Sequence, residues 1–127
     1  MGTVLIAADG AWLRNQVRTA LAGPDQAVLE LDRGQDVCDA VALHEPDLAI
    51  LDMQIDNMGG VAVALDLRLE ASAGRVPDVP IVLLLDRECD RFLAKRADVD
   101  AVVVKPLDGG VLRRTVKRVL AERASVV

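Results

Sequence analysis

The sequence predicts an α/β domain: a five-stranded parallel sheet, doubly wound, with five helices over its two faces. Three observations carry this expectation. Five short apolar runs of strand length lack strict polar alternation, the pattern of strands buried on both faces. Helical stretches alternate with these runs, an order that builds parallel sheets through right-handed crossovers. Aromatic residues are scarce, with one Trp, one Phe and no Tyr, so the core is left to Val, Leu, Ile and Ala.

The expected strands are Val4–Ala8, Ala27–Leu31, Leu48–Leu51, Ile81–Leu85 and Ala101–Val104, the second being the weakest. The first helix, Trp12–Leu21, places Leu13, Val17 and Leu21 on one face and leaves Trp12 half-buried. The second, Val37–Leu43, follows Gly34 and closes at Glu45, the residue before Pro46. The third, Val61–Leu69, carries Leu65 and Leu69 on one face. A fourth, Arg87–Arg96, is short and weakly apolar. The fifth, Val111–Leu120, turns Leu112, Val116, Val119 and Leu120 inward. The stretch Gly74–Pro80 reads as a loop. The length of 127 residues suits one domain, with no repeat or linker.

The formal charge of −5 supplies no general basic footprint for nucleic acid. Cys38 and Cys89 lack paired-ligand spacing, which fits a reducing compartment better than a disulfide framework. The first residues lack the basic region of a signal peptide, and Ile6 stands where myristoylation wants Ser or Thr. No run approaches the roughly 18 apolar residues of a membrane span. A cytoplasmic location is therefore expected.

Ligands of doubly wound sheets bind beyond the carboxyl ends of the strands, at the switch point. The residues there are Asp9, Asp52, Asp86 and Lys105. In the order 2-1-3-4-5, strands one and three are neighbours, so Asp9 and Asp52 share an edge with Lys105 across from them. Close carboxylates repel, and a divalent cation removes that penalty. Carboxylates with retained water describe a Mg²⁺ site. A carboxylate is also a nucleophile toward phosphorus, and an ammonium group neutralises phosphoryl oxygens. Each residue also has a plain reading. Asp9 could cap the first helix, Asp52 could be a solvated loop acid and Lys105 a surface lysine. Their convergence favours chemistry.

The stretch Pro46–Gly60, containing Ile50-Leu51-Asp52-Met53-Gln54, resembles the third strand and acceptor loop of bacterial response-regulator receiver domains. Asp98–Leu107, ending Val-Lys-Pro-Leu, is similar to their fifth strand and Lys-Pro turn, and Val4–Asp9 to their first strand. The resemblance covers about residues 3 to 121. It implies the flavodoxin-like, CheY-like fold and a single receiver domain over residues 1–127 with no output domain. By it, Asp52 accepts the phosphoryl group, while Asp9, Asp52 and the backbone carbonyl of Gln54 hold Mg²⁺. Lys105 pairs with the acceptor and then with the phosphoryl group, the Lys105–Pro106 bond is cis, and Gly60 relieves the turn into the third helix.

Departures from the family pattern fall at its working positions. Ala8 replaces one of two acids ending strand one, which weakens metal binding. Leu85 replaces a Ser or Thr whose hydroxyl bonds the phosphoryl group. Asp86 replaces a small residue and brings bulk and like charge, or else takes over from the acid missing at Ala8. Val102 replaces the aromatic switch, and Asp56 replaces a loop proline. The resemblance implies an atypical, phosphorylated receiver signalling through protein contacts, or a pseudo-receiver needing no phosphate. An enzyme is not expected, beyond Mg-dependent autophosphorylation. A dehalogenase-like phosphatase wants an Asp at Gln54, and the loops of flavodoxins and dinucleotide binders are absent.

The implied partners are a sensor histidine kinase or phosphotransfer protein, and an output protein on the helix 4–strand 5–helix 5 face. The state expected is a monomer or weak homodimer, with no nucleic acid or membrane. Arg113, Arg114, Lys117, Arg118 and Arg123 form a basic stripe on the last helix, either a solvated face or a docking surface extended by Arg87, Arg91, Lys95 and Arg96. His44 is expected exposed, Cys38 in packing and Cys89 partly exposed and unreactive.

Overall fold

The computed structural model of the chain describes residues 2–55 and 58–124. Five parallel strands are present: β1 (Gly2–Ala7), β2 (Gln26–Leu31), β3 (Leu48–Asp52), β4 (Ile81–Leu85) and β5 (Ala101–Val104). They lie in the order β2-β1-β3-β4-β5, as the sequence predicts. The helices are α1 (Ala11–Leu21), α2 (Val37–His44), α3 (Gly60–Ser72), α4 (Arg91–Arg96) and α5 (Gly109–Ala124).

Alternation along each strand divides the core in two. Leu5, Ala49, Leu51, Ile81 and Leu83 face α2, α3 and α4. Val4, Ile6, Leu48, Ile50, Val82 and Leu84 face α1 and α5. The three central strands are buried throughout, except for the first two residues of β1. Burial on both faces is why they read as apolar runs without alternation.

Helix boundaries follow local chemistry. The Asp108 carboxylate accepts the N–H groups of Gly110 (2.8 Å) and Val111 (3.1 Å), starting α5 earlier than its apolar spacing suggests. Glu45 takes a left-handed conformation at φ 45° and ends α2 before Pro46. The stretch expected as one helix over 87–96 is instead a 3₁₀ turn, Glu88–Asp90, followed by six residues of α-helix. Asp98, at φ 56°, turns the chain out of it toward β5.

Two packing expectations are corrected. Trp12 is 68% exposed rather than half-buried. It stands on the first turn of α1, whose inward positions belong to Leu13, Val17 and Ala20. Leu65 and Leu69 share a face of α3, but that face is the outer one, 49% and 64% exposed. Smaller side chains, Val63 and Ala64, lie against the sheet with Leu67.

The basic stripe on α5 also divides. Arg123 turns in to Asp100 and Asp78 at 3.2 Å. Arg68 of α3 meets the same two acids at 2.8 Å. Asp100 further accepts the Ile81 N–H at 2.7 Å, so this network anchors the amino end of β4. Arg113 donates to the Ala20 carbonyl at 3.3 Å, bridging α5 to α1. These two arginines have structural partners.

Gly60 begins α3 directly beneath the end of β3. A Cβ there would lie 2.2 Å from the Asp52 carbonyl oxygen and 2.9 Å from Leu83 Cδ1. Only glycine lets α3 start this close to the strand end. Gly60→Ala is expected to cost about 1–3 kcal/mol by overpacking, measured as a lower urea midpoint, and to displace Asp52.

Candidate functional site

The register sets out the site. Asp52 ends β3 paired with Leu84 of β4, and Leu85 of β4 pairs with Val104 of β5. Asp86 and Lys105 are each the next residue along, so they emerge side by side. The Lys105 N–H donates to the Leu85 carbonyl at 2.8 Å, carrying the ladder to the lysine. The Lys105–Pro106 peptide is cis.

The side chains form one network. Lys105 Nζ donates to Asp52 Oδ1 at 2.6 Å and to Asp86 Oδ1 at 2.8 Å. Gln54 Nε2 donates to Asp86 Oδ2 at 2.9 Å. The Gln54 backbone N–H donates to the Asp52 carboxylate. The acceptor expected at Asp52 and the lysine expected across from it therefore meet. Two contacts were not foreseen: Asp86 to Lys105, and the Gln54 side chain to Asp86. The sequence puts an acid and an amine one residue past two strand ends, and the β4–β5 register then decides that they meet.

Asp9 sits apart from this network. The ladder runs one residue past β1, with the Ala8 N–H on the Leu31 carbonyl at 3.1 Å. Ala8 is buried and Asp9, next along, is exposed. Arg14 pins the turn through Nη1, which donates to the carbonyls of Ala8 (2.6 Å) and Asp9 (2.9 Å). The plain capping role does not apply to Asp9, because Gly10 is the N-cap of α1 and no side chain caps it. Among the described residues no three His, Cys, Asp or Glu side chains are grouped to hold a metal. Asp56 lies outside the described residues.

Burial dominates the electrostatics. Asp52 is 4% exposed. Desolvation raises its pKa above the ordinary aspartate value, although the bond from Lys105 opposes the rise. Desolvation also acts against the charged form of Lys105, but its bonds to Asp52 and Asp86 outweigh it and raise its pKa. Asp86, nearer the solvent, is lowered first by its bond from Lys105, then by that from Gln54. One amine thus serves two carboxylates, and the deeper one remains short of positive charge. That deficit is what a hard cation corrects. Asp52, the solvent-facing Asp9 and the Gln54 carbonyl are oxygen donors of the type Mg²⁺ takes, with water completing its shell.

The altered positions are placed as follows. Leu85 is fully buried in the α2–α3–α4 core and offers no hydroxyl at the strand end. Val102 is half-buried and lines a groove of about 520 Å³ between α4 and α5, with Arg91, Lys95 and Arg118 at its margin. Phe92 on α4 is 60% exposed. His44 and Cys89 are exposed, as expected. Cys38 is half-buried; burial foremost, then its 3.1 Å bond to Asp66, pushes its thiol pKa up to about 12, so it is an unreactive packing residue.

The direction of the Asp52 shift has a consequence for stability. A carboxyl raised in the folded state favours folding most at low pH, and that contribution is lost as pH rises through the folded pKa. Asp52→Asn mimics the neutral form. It is expected to have a higher denaturation midpoint than the parent at pH 7, with the gap narrowing as pH falls toward the ordinary aspartate value.

Comparison with known proteins gives a consistent answer. Residues 4–117 match the response regulator receiver domain family. The transcriptional regulatory protein CseB of Streptomyces avermitilis is 30% identical over 119 residues, 92% of this chain and 48% of CseB. The chain thus spans about half the length of that relative. An uncharacterised response regulatory protein of Mycobacterium tuberculosis is 32% identical, with 92% of this chain and 90% of that protein covered. The signal receiver domain of a histidine kinase from Syntrophus aciditrophicus shares the fold at a TM-score of 0.86 and 22% identity, over 100% of this chain and 96% of that domain. Among the described residues no helix is long and apolar enough to cross a membrane. With the parallel order β2-β1-β3-β4-β5 and a lysine on the carboxylate that ends β3, these matches identify the chain as a member of the response regulator receiver domain family.

Proposed function

We propose that this chain is an atypical receiver that accepts a phosphoryl group on Asp52, with Mg²⁺, and signals through protein contacts. The observation that carries the reading is the buried Asp52 carboxylate held 2.6 Å from Lys105 Nζ at the carboxyl edge of the sheet. A solvated loop acid has no need of burial or of a committed amine.

The chemistry follows from these groups. A carboxylate oxygen of Asp52 attacks phosphorus, the bond from phosphorus to the donor breaks, and its electron pair leaves with the donor. A sensor histidine kinase or phosphotransfer protein would supply the group from a phosphohistidine. Lys105 neutralises the phosphoryl oxygens, and the Gln54 N–H helps fix the carboxylate. Mg²⁺ held by Asp52, Asp9 and the Gln54 carbonyl would offset the charge building up on the transferring group. No further enzymatic activity is assigned. A cytoplasmic location and a monomer or weak homodimer fit this role.

Output would pass through proteins on the α4–β5–α5 face, where Val102 and the three basic side chains line the groove. The transmission elements are reduced. Leu85 offers no hydroxyl to pull on the phosphoryl group, and Val102 has no ring to reorient. A second reading, a pseudo-receiver used as a phosphate-independent interaction module, draws on the Asp86 carboxylate, which already occupies Lys105.

Incubation with phosphoramidate and Mg²⁺ should add one phosphoryl group by intact-mass spectrometry. The label should vanish in Asp52→Asn and without Mg²⁺. It should form roughly 100-fold more slowly in Lys105→Ala, the order of loss for one preorganised donor. No label in the parent at high donor concentration would instead establish the pseudo-receiver. Amide exchange with and without beryllofluoride should change little in α4; a large change there would show that another element has taken over the switch.

A further inference from the structure

We propose that Asp86 is a positioning residue that competes with the incoming phosphoryl group for the Lys105 ammonium. Both oxygens of its carboxylate are engaged, Oδ1 by Lys105 Nζ at 2.8 Å and Oδ2 by Gln54 Nε2 at 2.9 Å. Of these two donors, Lys105 Nζ also reaches Asp52 Oδ1 at 2.6 Å. A second anion of the chain thus already holds the amine that a phosphoryl group needs.

Three features make the contact a competitor and not a filler. The first is placement, since Asp86 and Lys105 each follow the paired residues Leu85 and Val104 by one position. Backbone pairing therefore delivers the acid to the amine. The second is charge. With Asp52 and Asp86 ionised and Lys105 protonated, the network is net negative before any phosphoryl group arrives, and Asp86 stands close enough to share one ammonium with the acceptor. A transferring phosphoryl group adds more negative charge at that point, where repulsion is weakly screened. The third is accessibility. The Asp86 side chain is 31% exposed against 5% for Asp52, so the upper acid can swing into water while the lower one cannot.

Transfer to Asp52 accordingly requires Lys105 to be released from Asp86. The contact sets a threshold that small phosphodonors cross slowly and that a docked phosphoprotein crosses by excluding Asp86 from the pocket. This inference rests on Asp52 being the acceptor.

The test compares initial rates of labelling by phosphoramidate and Mg²⁺ in the parent, Asp86→Ala, Asp86→Asn and the double variant D52N/D86A. Asp86→Ala is expected to label at least about tenfold faster than the parent, the factor that one charge-assisted hydrogen bond is worth. Asp86→Asn keeps the shape and one acceptor oxygen but loses the charge, and should fall between the two. The double variant should take no label. Loss of a merely structural contact would slow labelling through unfolding, so a gain in rate separates the two roles. Equal or slower labelling of folded Asp86→Ala and Asp86→Asn, with the parent labelled on Asp52, would overturn the competition and leave the acceptor in place. Absence of label from every protein would overturn the acceptor and the competition together.

Discussion

One ammonium group shared between two carboxylates organises this molecule's functional edge. Lys105 Nζ lies 2.6 Å from Asp52 and 2.8 Å from Asp86. Taking a carboxylate out of water is costly, and pairing repays the cost only when geometry is good. Here the repayment is incomplete for the deeper acid, whose pKa stays raised, and ample for the shallower one, whose pKa is lowered. The lysine is thus divided between a buried carboxylate and a more exposed one.

That division is imposed by the backbone. Parallel pairing of β4 with β5 brings their successors together, while β3 between β1 and β4 puts Asp52 beneath them. The opposite end of the sheet is held by a separate network, in which Arg68 and Arg123 close on Asp78 and Asp100. Asp100 takes the first N–H of β4, so the strand that carries Asp86 is fixed at its start by one ion cluster and at its end by another. The tight start of α3 at Gly60 leaves the Asp52 backbone little room to shift. A site so constrained has few ways to adapt except by moving the exposed Asp86 side chain.

Most of the fold was legible in the sequence because a doubly buried sheet leaves a blunt signature, apolar runs divided by helical spacing. What failed was subtler. Leu65 and Leu69 sit four residues apart and mimic a core stripe, yet α3 packs through the smaller Val63 and Ala64, which let it approach the sheet. Trp12, expected half-buried, stands on the first turn of α1 and projects to solvent. Among site residues, Asp52 and Lys105 could be placed by strand ends alone. The Asp86 bond to Lys105 needed the β4–β5 register, which no single strand reveals. Arg113 and Arg123 looked like surface charge because their partners, the Ala20 carbonyl and the acids at 78 and 100, are distant in sequence.

The departures from the family pattern are physically coherent with one another. By the family resemblance, a hydroxyl at the end of β4 and an aromatic ring on β5 form a pair that transmits phosphorylation. Here the end of β4 is Leu85, buried among apolar side chains with nothing to donate, and the β5 position is Val102, too small to occupy the α4–α5 groove. Among the described residues no buried side-chain nitrogen or oxygen lacks a partner. Val102 lines that groove with an aliphatic side chain beside Arg91, Lys95 and Arg118. At this edge Asp52 is the buried partner of Lys105 and Asp86 the more exposed one.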